Sequence, residues 1–405
     1  MRLPLLPTFR LTAYIRPAPL FCLASWFLAS TLWHIGIRGE CGVVVSDLER
    51  LRAWSYRRQH LDRSAAGPLA ALERVLAVHS THPPAPLSLL ARTASFDYSE
   101  FETLEREKKA VNLPVMRGSV HLLPAGFAPA MFAATKAITA QLIKRLGVDP
   151  KDGRSFEELR EALLPLLARP VEGSKIRETL GITEREFLAI RLMTRSGDVL
   201  RISTNPRSDR LLYVATEAWL GAPFKGIDAL EGRRWLAGGY FDAFGPARLK
   251  DFAWWLGESQ RDARVAVEGV DLVAAGDDLL LPVALEPAYV KTRELDPGAI
   301  AIIPKWDCYT MGFAPDGRRR IVDDLHLAQA YTTTETRIGA TTGDGHPLIL
   351  RGGRAVARWS HRFSGKTMSV EVTAFQGESV IREHVEELFQ ETAILMKCEN
   401  LKLDC

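Results

Sequence analysis

Apolar residues recur at intervals of three and four through much of the chain between Ser46 and Leu279. This is the spacing of helices that bury one face. After Leu279 the pattern changes to short alternating runs separated by turn residues, which are typical of β-strands. Because the helices come first and the strands last, in separate blocks, the pattern predicts an α+β fold.

The first helical block predicts a unit of helices followed by a strand. Val115–Pro124 alternates as a strand with Arg117 and His121 on its polar face, where both are candidate contacts for DNA. The alternative for Arg117 is a surface ion pair. This order of elements is that of a winged-helix unit. The predicted helices are Ser46–Arg58, one that begins at Gly67 and Pro68, Leu87–Ala94, and one with a capping box of Ser99 and Glu102.

The same order of elements recurs twice further along the chain. Thr183 and Glu186 indicate a capping box for a helix that leads into a hairpin. The polar tip of this hairpin carries Arg207 and Arg210 as candidate DNA contacts. Later, Phe244–Pro246 separates two helical runs as in a helix-turn-helix unit, with its proline expected at the first position of the second helix. No residue period links the three units, so the repetition is one of topology.

Two glycine-containing turns organise the β-rich segment. Gly352-Gly353 and Ser364-Gly365 predict two-residue turns that connect three strands. With the second turn at this position, Arg358 lies opposite Glu371 and would be held in an ion pair. A helix that begins near Ser379 would then cover the sheet.

These strands contain the most basic window of the chain. Five Lys or Arg residues and no Asp or Glu lie between Arg351 and Lys366. Cations near the tip of a hairpin can contact DNA phosphates. Arg358, Arg362 and Lys366 are the candidates, and we expect the last two to be free of ion pairs. The alternative is a solvated face of the sheet that binds nothing.

Charge and cysteine content narrow the function classes. The chain has 405 residues, of which 25% are charged, and a formal net charge of +3. Any affinity for nucleic acid would therefore depend on local basic clusters. The five cysteines are scattered and have no histidines at ligand spacing, which argues against a zinc finger, an iron–sulfur cluster and a disulfide framework. We expect no metal, no cofactor and a cytoplasmic location.

The N-terminal residues 1–45 are expected to be an extension outside the folded unit. Pro17–Ile37 contains no Asp, Glu, Lys or Arg and follows three arginines, which is the outline of a signal or membrane-anchor segment. However, His34 and several Ser and Thr residues interrupt it, and it lacks an evident small-residue cleavage site. We therefore expect no membrane insertion.

The stretch Leu76–Pro86, which reads L-A-V-H-S-T-H-P-P-A-P, carries the candidate chemistry. An apolar helical run ends there, and the prolines prevent the helix from continuing. In extended backbone His79 and Thr81 project to the same side, because side chains alternate. They would form a paired polar site at the exit of a helix. The alternative is a solvated loop.

Five motifs in this chain, taken in order, resemble those of a known family. They are A-V-H-S-T-H-P, M-R-G-S-V-H-L-L-P, F-G-P-A-R-L-K-D-F-A-W-W-L-G, I-P-K-W-D-C-Y-T-M-G and G-G-R-A-V-A-R-W. The set is similar to the winged-helix DNA-binding proteins related to the AlkZ and YcaQ DNA glycosylases. This resemblance implies three tandem winged-helix subdomains followed by a C-terminal β-barrel with the basic hairpin. The corresponding boundaries are 46–150, 151–235, 236–285 and 286–405.

The resemblance also implies a monofunctional DNA glycosylase that excises bulky alkylated or crosslinked purines from double-stranded DNA. The family carries Gln-x-Gln or Gln-x-Asp after the A-V dipeptide, where this chain has His79 and Thr81. His79 could hold a water, or act as a general base at its ordinary pKa of about 6.5. The hydroxyl of Thr81 could hold the same water.

Two other function classes remain open at this point. The first is a non-catalytic DNA-binding protein on the same scaffold, acting as a damage sensor or regulator. The second is a soluble protein without a nucleic-acid role. For the DNA-binding classes we expect a monomer that is associated with the nucleoid.

Overall fold

The computed structural model describes most of the chain from Asp47 onward. The predicted extension at residues 1–45, the Ser46 cap and Thr81 lie outside the described residues. The described residues are 47–80, 84–136, 154–203, 205–207, 210–224, 226–276, 278–333 and 341–405.

The N-terminal helices lead into a short strand that carries His79. Pro68 occupies the first turn of the second helix, as predicted. Proline is favoured there because it lacks a backbone N–H, and an N–H at this position would have no partner within the helix. The fourth helix is capped by Asp97 and Glu100, so the predicted Ser99–Glu102 box is wrong by two residues. The third helix also begins and ends earlier than predicted. α1 spans Asp47–Arg58, α2 Pro68–Val75, β1 Val78–His79, α3 Pro84–Leu90 and α4 Tyr98–Arg106.

A tight reversal replaces the single strand that the alternation predicts next. The chain forms two antiparallel strands, β2 (Ala110–Pro114) and β3 (Val120–Pro124). Between them Arg117 has a φ of 53°, a left-handed conformation that residues other than glycine adopt rarely. Gly118 follows with a φ of 71° and is the one turn residue in a run that otherwise alternates as a strand. β1 pairs with β3 so that His79 lies opposite His121.

The second helical unit joins the same sheet. The predicted capping box of Thr183 and Glu186 is present, and the predicted hairpin follows it. Asn112 of β2 pairs with Arg201 of that hairpin, which gives a sheet with the order β1-β3-β2-β5-β6-β4. The strands of the first two units therefore form one sheet. The elements are α5 at residues 128–136, α6 Phe156–Leu166, β4 Val171–Glu172, α7 Gly173–Leu180, α8 Glu184–Ser196, β5 Val199–Ser203, β6 Leu211–Ala215 and α9 Thr216–Leu220.

A turn at Gly245 separates the two helices of the third unit. The predicted position of Pro246 is wrong, because the second helix begins at Leu249 with Arg248 as its N-cap. Asp251 fixes this start by accepting the backbone N–H of Arg248 at 3.0 Å. The elements are α10 Ala229–Phe244, α11 Leu249–Leu256, α12 Gln260–Val267, β7 Leu272–Ala274, β8 Leu280–Pro282 and α13 Glu286–Val290.

The C-terminal sheet is open. Its strands follow the order β15-β14-β13-β12-β9, and the two edge strands do not pair with each other in the described part of the chain. The predicted closed β-barrel is therefore wrong for these residues. The predicted closing helix is present and buries Val385 and Phe389. The elements are β9 Ile300–Ile303, α14 Cys308–Met311, α15 Leu327–Ala330, β10 Tyr331–Thr333, β11 Thr341–Gly345, β12 Leu348–Arg351, β13 Arg354–Ser364, β14 Thr367–Ala374, α16 Arg382–Leu395 and β15 Asn400–Asp404.

The turn between β13 and β14 is shifted by one residue from its predicted position. It lies at Gly365-Lys366 rather than at Ser364-Gly365. Such a shift moves every opposing partner by two residues, so Glu371 lies opposite Ser360 rather than opposite Arg358. The predicted register is therefore wrong. The side chain of Arg358 is exposed on the outer face of the sheet.

The described residues from Asp47 onward form one compact unit. One large apolar core extends from the N-terminal helices to α16, and a smaller one lies among α6, α7 and α8. The subdomain boundaries and the number of winged-helix units stay predictions. In the described part of the chain, no helix is both long enough and apolar enough to cross a membrane.

Candidate active site

A cleft of about 560 Å³ opens where β1 and β3 meet the C-terminal segment. Its volume is within the range of about 300–1,000 Å³ that small-ligand sites occupy. Side chains from distant parts of the chain form its walls, so the cleft depends on the tertiary fold. We call it the His79 cleft, and its lining residues are Ala77, His79, Met116, Arg117, Ser119, His121, Trp255, Trp306, Cys308, Met311 and Asp344.

Strand pairing brings two imidazoles together in the His79 cleft. The rings of His79 and His121 meet edge to face with their centroids 5.6 Å apart. The indole of Trp306 packs against His79 at a centroid distance of 4.7 Å. Nδ1 of His121 lies 2.9 Å from the carbonyl oxygen of Ser119. Because a carbonyl only accepts, Nδ1 carries the proton and Nε2 is left as an acceptor.

Burial keeps both imidazoles neutral at physiological pH. Desolvation, with smaller contributions from the charges of Arg117 and Lys305, lowers the pKa of His79 to about 4. Desolvation and the neighbouring His79 lower the pKa of His121 to about 3. The predicted ordinary pKa of His79 is therefore wrong. A neutral imidazole of this kind holds a water well but is a weak base.

The turn between β2 and β3 places Arg117 in the same cleft. Its guanidinium carbon lies 4.0 Å from the ring centre of Trp254, in a cation–π contact. Burial and the charge of Arg318 lower the pKa of Arg117 to about 10, so the group stays cationic at neutral pH. A guanidinium in this position is suited to bind a phosphate.

The cleft also contains an indole and a carboxylate that sequence reasoning missed. Trp306 has a φ of 58°, and backbone conformations of this kind cluster at functional sites. Its Nε1 donates to Oδ1 of Asp344 at 2.5 Å. Trp306 lies within the motif I-P-K-W-D-C-Y-T-M-G, whereas nothing in the sequence marks Asp344.

A buried ion pair supports the segment that carries Trp306. Nη2 of Arg92 lies 2.7 Å from Oδ1 of Asp307, and both side chains are fully buried. Oδ2 of Asp307 accepts from Oγ of Ser88 at 2.7 Å. Trp306 and Cys308 flank Asp307 and line the His79 cleft. The hydrogen bond from Ser88 and the ion pair with Arg92 therefore fix one wall of the cleft to α3 and to the turn that follows it.

A second cleft, of about 590 Å³, shares Trp306 with the His79 cleft. Lys305, His346 and Arg358 line it together with Glu371. Arg358, which was predicted to contact DNA, is exposed on β13. The two adjacent clefts thus share one indole, and each contains at least one cationic side chain. The remaining lining residues are Pro84, Leu87, Pro304, Pro347, Trp359, Ser360, His361 and Thr373.

The two hairpin tips that were predicted to contact DNA also contact each other. Nη1 of Arg207 donates to the carbonyl of Gly365 at 2.7 Å. The same guanidinium lies 5.5 Å from the ring centre of Phe363. The fold therefore brings the tip of the β5–β6 hairpin to the tip of the β13–β14 hairpin, although they are far apart in sequence.

Cations at these tips differ in their partners. Lys366 forms an ion pair with Glu399, so the expectation that Lys366 is free is wrong. Arg362 is exposed on β13. None of the four described cations at the tips lines the His79 cleft. We call Arg207, Arg210, Arg362 and Lys366 the basic tip.

The described residues offer no metal centre. No group of three or more His, Cys, Asp or Glu side chains among them could hold a metal ion. Cys308 and Cys398 are buried as free thiols and Cys405 is an exposed one.

Comparison with known proteins identifies the family. A family model described as DNA glycosylase AlkZ-like matches residues 72–395. The chain belongs to the AlkZ-like DNA glycosylase family. A solved structure, Streptomyces sahachiroi DNA glycosylase AlkZ, is similar with a TM-score of 0.68 and 19% identity, over 88% of this chain and 98% of that chain. A sequence comparison with curated proteins gives no match.

The family match confirms the resemblance inferred from the five motifs. It supports a DNA glycosylase role in repair, with DNA as the partner. The matched residues include every residue that lines the His79 cleft. The roles of the individual side chains are not tested by this match and stay predictions.

Proposed function

We propose that this chain is a monofunctional DNA glycosylase that hydrolyses the N-glycosidic bond of bulky alkylated or crosslinked purines in double-stranded DNA. His79 and Thr81 act at the reacting sugar. The observation that carries the proposal is the His79 cleft, where neutral imidazoles and an indole surround a space of about 560 Å³. A space of this size suits a nucleotide that has left the base stack.

An alkylated purine needs little help to leave. Alkylation of a ring nitrogen makes the base cationic, so the electron pair of the breaking C1′–N bond neutralises it. Water then adds to C1′ and loses a proton. A neutral ring nitrogen of His79 accepts a hydrogen bond from this water, and its low pKa keeps the nitrogen unprotonated at neutral pH.

Cations in and around the two clefts hold the DNA. Arg117 and His121 contact the reacting nucleotide from the wall of the His79 cleft. Cations outside it bind phosphates, which positions the duplex without reading its sequence. These are Arg358 and the basic tip. The scaffold comprises the three winged-helix subdomains at 46–150, 151–235 and 236–285, and the open sheet at 286–405.

One observation favours a second function, that of a non-catalytic DNA-binding protein. Arg117 and Lys305 lower the pKa of His79, which shows that they place positive potential at the imidazole. The sugar also becomes cationic as the base leaves, and like charges repel. A cleft of this kind could hold a damaged nucleotide without cleaving it.

Release of modified bases from lesion duplexes separates these functions. Full-length protein in excess is mixed with a duplex that contains one N7-alkylguanine or N3-alkyladenine, and the free base is measured by mass spectrometry. We expect release by the wild type and a rate about 100-fold lower for His79→Ala. Tight binding of both duplexes without base release would favour the second function. Melting curves of both proteins establish that the variant is folded.

A further inference from the structure

We propose that Asp344 supplies the carboxylate that stabilises the cationic sugar during base release. The residue lies on β11, far from His79 in sequence, yet both line the His79 cleft. This inference rests on the proposed glycosylase function. It assigns to the C-terminal segment the negative charge that His79 and Thr81 do not provide.

The carboxylate of Asp344 is held in a fixed position. Nε1 of Trp306 donates to Oδ1 at 2.5 Å, and Oγ1 of Thr332 donates to Oδ2 at 3.0 Å. The ring of Trp306 packs against the imidazole of His79 at 4.7 Å. One indole therefore links the group that holds the water to the group that carries the charge. A fixed charge needs no reorganisation when the sugar becomes cationic.

The positive charges around the cleft require a negatively charged group to offset them. Arg117 and Lys305 both oppose a developing cation, as their effect on His79 shows. Among the described residues that line the His79 cleft, Asp344 is the only carboxylate. Burial alone would raise the pKa of Asp344, but hydrogen bonds from Trp306 and Thr332, together with the charge and hydrogen bond of Lys305, outweigh it and hold the pKa below its ordinary value. The group is therefore ionised at neutral pH.

The ion pair with Lys305 does not prevent the carboxylate of Asp344 from acting on the cationic sugar. Its Nζ lies 3.3 Å from Oδ1 of Asp344, with side-chain exposures of 39% and 37%. Ion pairs with this much exposure are weak. The same Nζ lies 4.3 Å from the ring centre of Trp306, at the border of the second cleft. A DNA phosphate bound in that cleft competes for Lys305 and leaves the carboxylate facing the sugar.

Asp344 acts without a bond or a proton transfer. The C1′–N bond breaks, both electrons stay with the purine, and the alkylated base becomes neutral while the sugar becomes the cation. The carboxylate faces this cation until water adds to C1′. The proton that this water loses passes along His79 to the solvent. Asp344 is unchanged at the end of the reaction.

Asp344→Asn is the direct test, because it removes the charge and keeps the size of the side chain. With full-length protein in excess over an N7-alkylguanine duplex, we expect the rate constant of base release to fall by a factor of about 100 or more. The dissociation constant for the duplex should change by less than about twofold, since phosphates supply most of the affinity. A structural role would instead change binding and melting together with the rate.

Asp323→Asn is the matched control. Asp323 is 43% exposed and pairs with Arg52 and Arg354, and it does not line the His79 cleft. We expect Asp323→Asn to release the base at the rate of the wild type. Asp344→Glu keeps the charge but displaces it, and we expect it to be at least about ten times faster than Asp344→Asn.

The outcomes separate this inference from the proposed function. An active wild type with an equally active Asp344→Asn overturns the role of Asp344 and leaves the glycosylase in place. A wild type that releases no base from any alkylated duplex overturns both. If Asp344→Asn is unstable, folded Asp344→Glu decides the question: a rate near that of the wild type supports the role of the charge, and a loss of about 100-fold or more overturns it.

Discussion

The His79 cleft and the basic tip contain similar polar residues in opposite environments. In the cleft, burial lowers the pKa of His79 and of Arg117, and the charge of Arg117 lowers the pKa of His79 further. At the tip, the ion pair of Lys366 and Glu399 leaves the two side chains 70% and 62% exposed. Water and salt screen such charges. Burial thus shifts the pKa values of the side chains in the cleft, whereas the charges at the tip keep their exposure to water and salt.

The largest expected effect concerns the buried ion pair behind the cleft. Asp307→Ala leaves Arg92 buried without its carboxylate, and we expect a loss of about 3–5 kcal/mol in the free energy of unfolding. Glu399→Ala breaks the exposed pair with Lys366 and should cost about 0–1 kcal/mol. Urea unfolding measures both. Equal losses in the two variants would show that burial does not distinguish the two regions.

The next effect concerns the imidazole of His79. His79→Ala removes the acceptor for the water, and we expect base release to slow about 100-fold. His79→Gln keeps a hydrogen-bonding group and should stay within about tenfold of the wild type. Single-turnover release from an alkylated duplex measures both variants. If the Gln variant were as slow as the Ala variant, hydrogen bonding would not be the role of this residue.

A smaller effect is expected on DNA affinity at the exposed cations. Each phosphate contact contributes about 0.9 to the slope of log affinity against log salt concentration. The double variant Arg358→Gln/Arg362→Gln should therefore reduce the magnitude of this slope by about 2. Lys366→Gln is the comparison, because Lys366 has to leave Glu399 before it can bind a phosphate, and this variant should reduce the slope by less than about 0.9. Binding titrations at several salt concentrations measure the slopes, and an unchanged slope in the double variant would exclude this surface from the interface.

The smallest effect is expected from pH. His79 has a pKa of about 4, so its neutral form predominates above that value and protonation becomes important only below it. The pKa of Asp344 is also held low, so its charge persists over the same range. We expect the rate of base release to change by less than about threefold between pH 8 and pH 5. A rate profile with a midpoint near 6.5 would contradict the burial of His79.

Local sequence signals predicted much of the fold correctly. Two of these signals act only on the backbone next to them. The capping box of Thr183 and Glu186 fixes the start of α8, and the glycine pair at residues 352–353 forms the turn between β12 and β13. The prediction failed where one residue could replace another in the same role, as when Asp97 rather than Ser99 caps α4. It also failed at Arg117 and Gly118, which both have a positive φ, because one glycine was outweighed by the alternation of the residues around it.

The candidate site could be predicted only in part. His79 and His121 were singled out on separate segments, and strand pairing brings them together. The pKa of His79 could not be predicted, because burial depends on Trp306 and on other residues distant in sequence. Asp344 carries no local signal at all. Its position follows from contacts with Trp306 and Thr332 that exist only in the folded chain.

The separation of His79 from Asp344 along the chain has a consequence for synthesis. A nascent polypeptide that ends before Trp306 contains β1, β2 and β3 but has neither the indole nor the carboxylate that line the cleft. Under the proposed function such a chain cannot excise a base while the ribosome still holds it. If Asp344 also has its proposed role, base release begins only after residue 344 has left the ribosome, so translation itself delays the reaction.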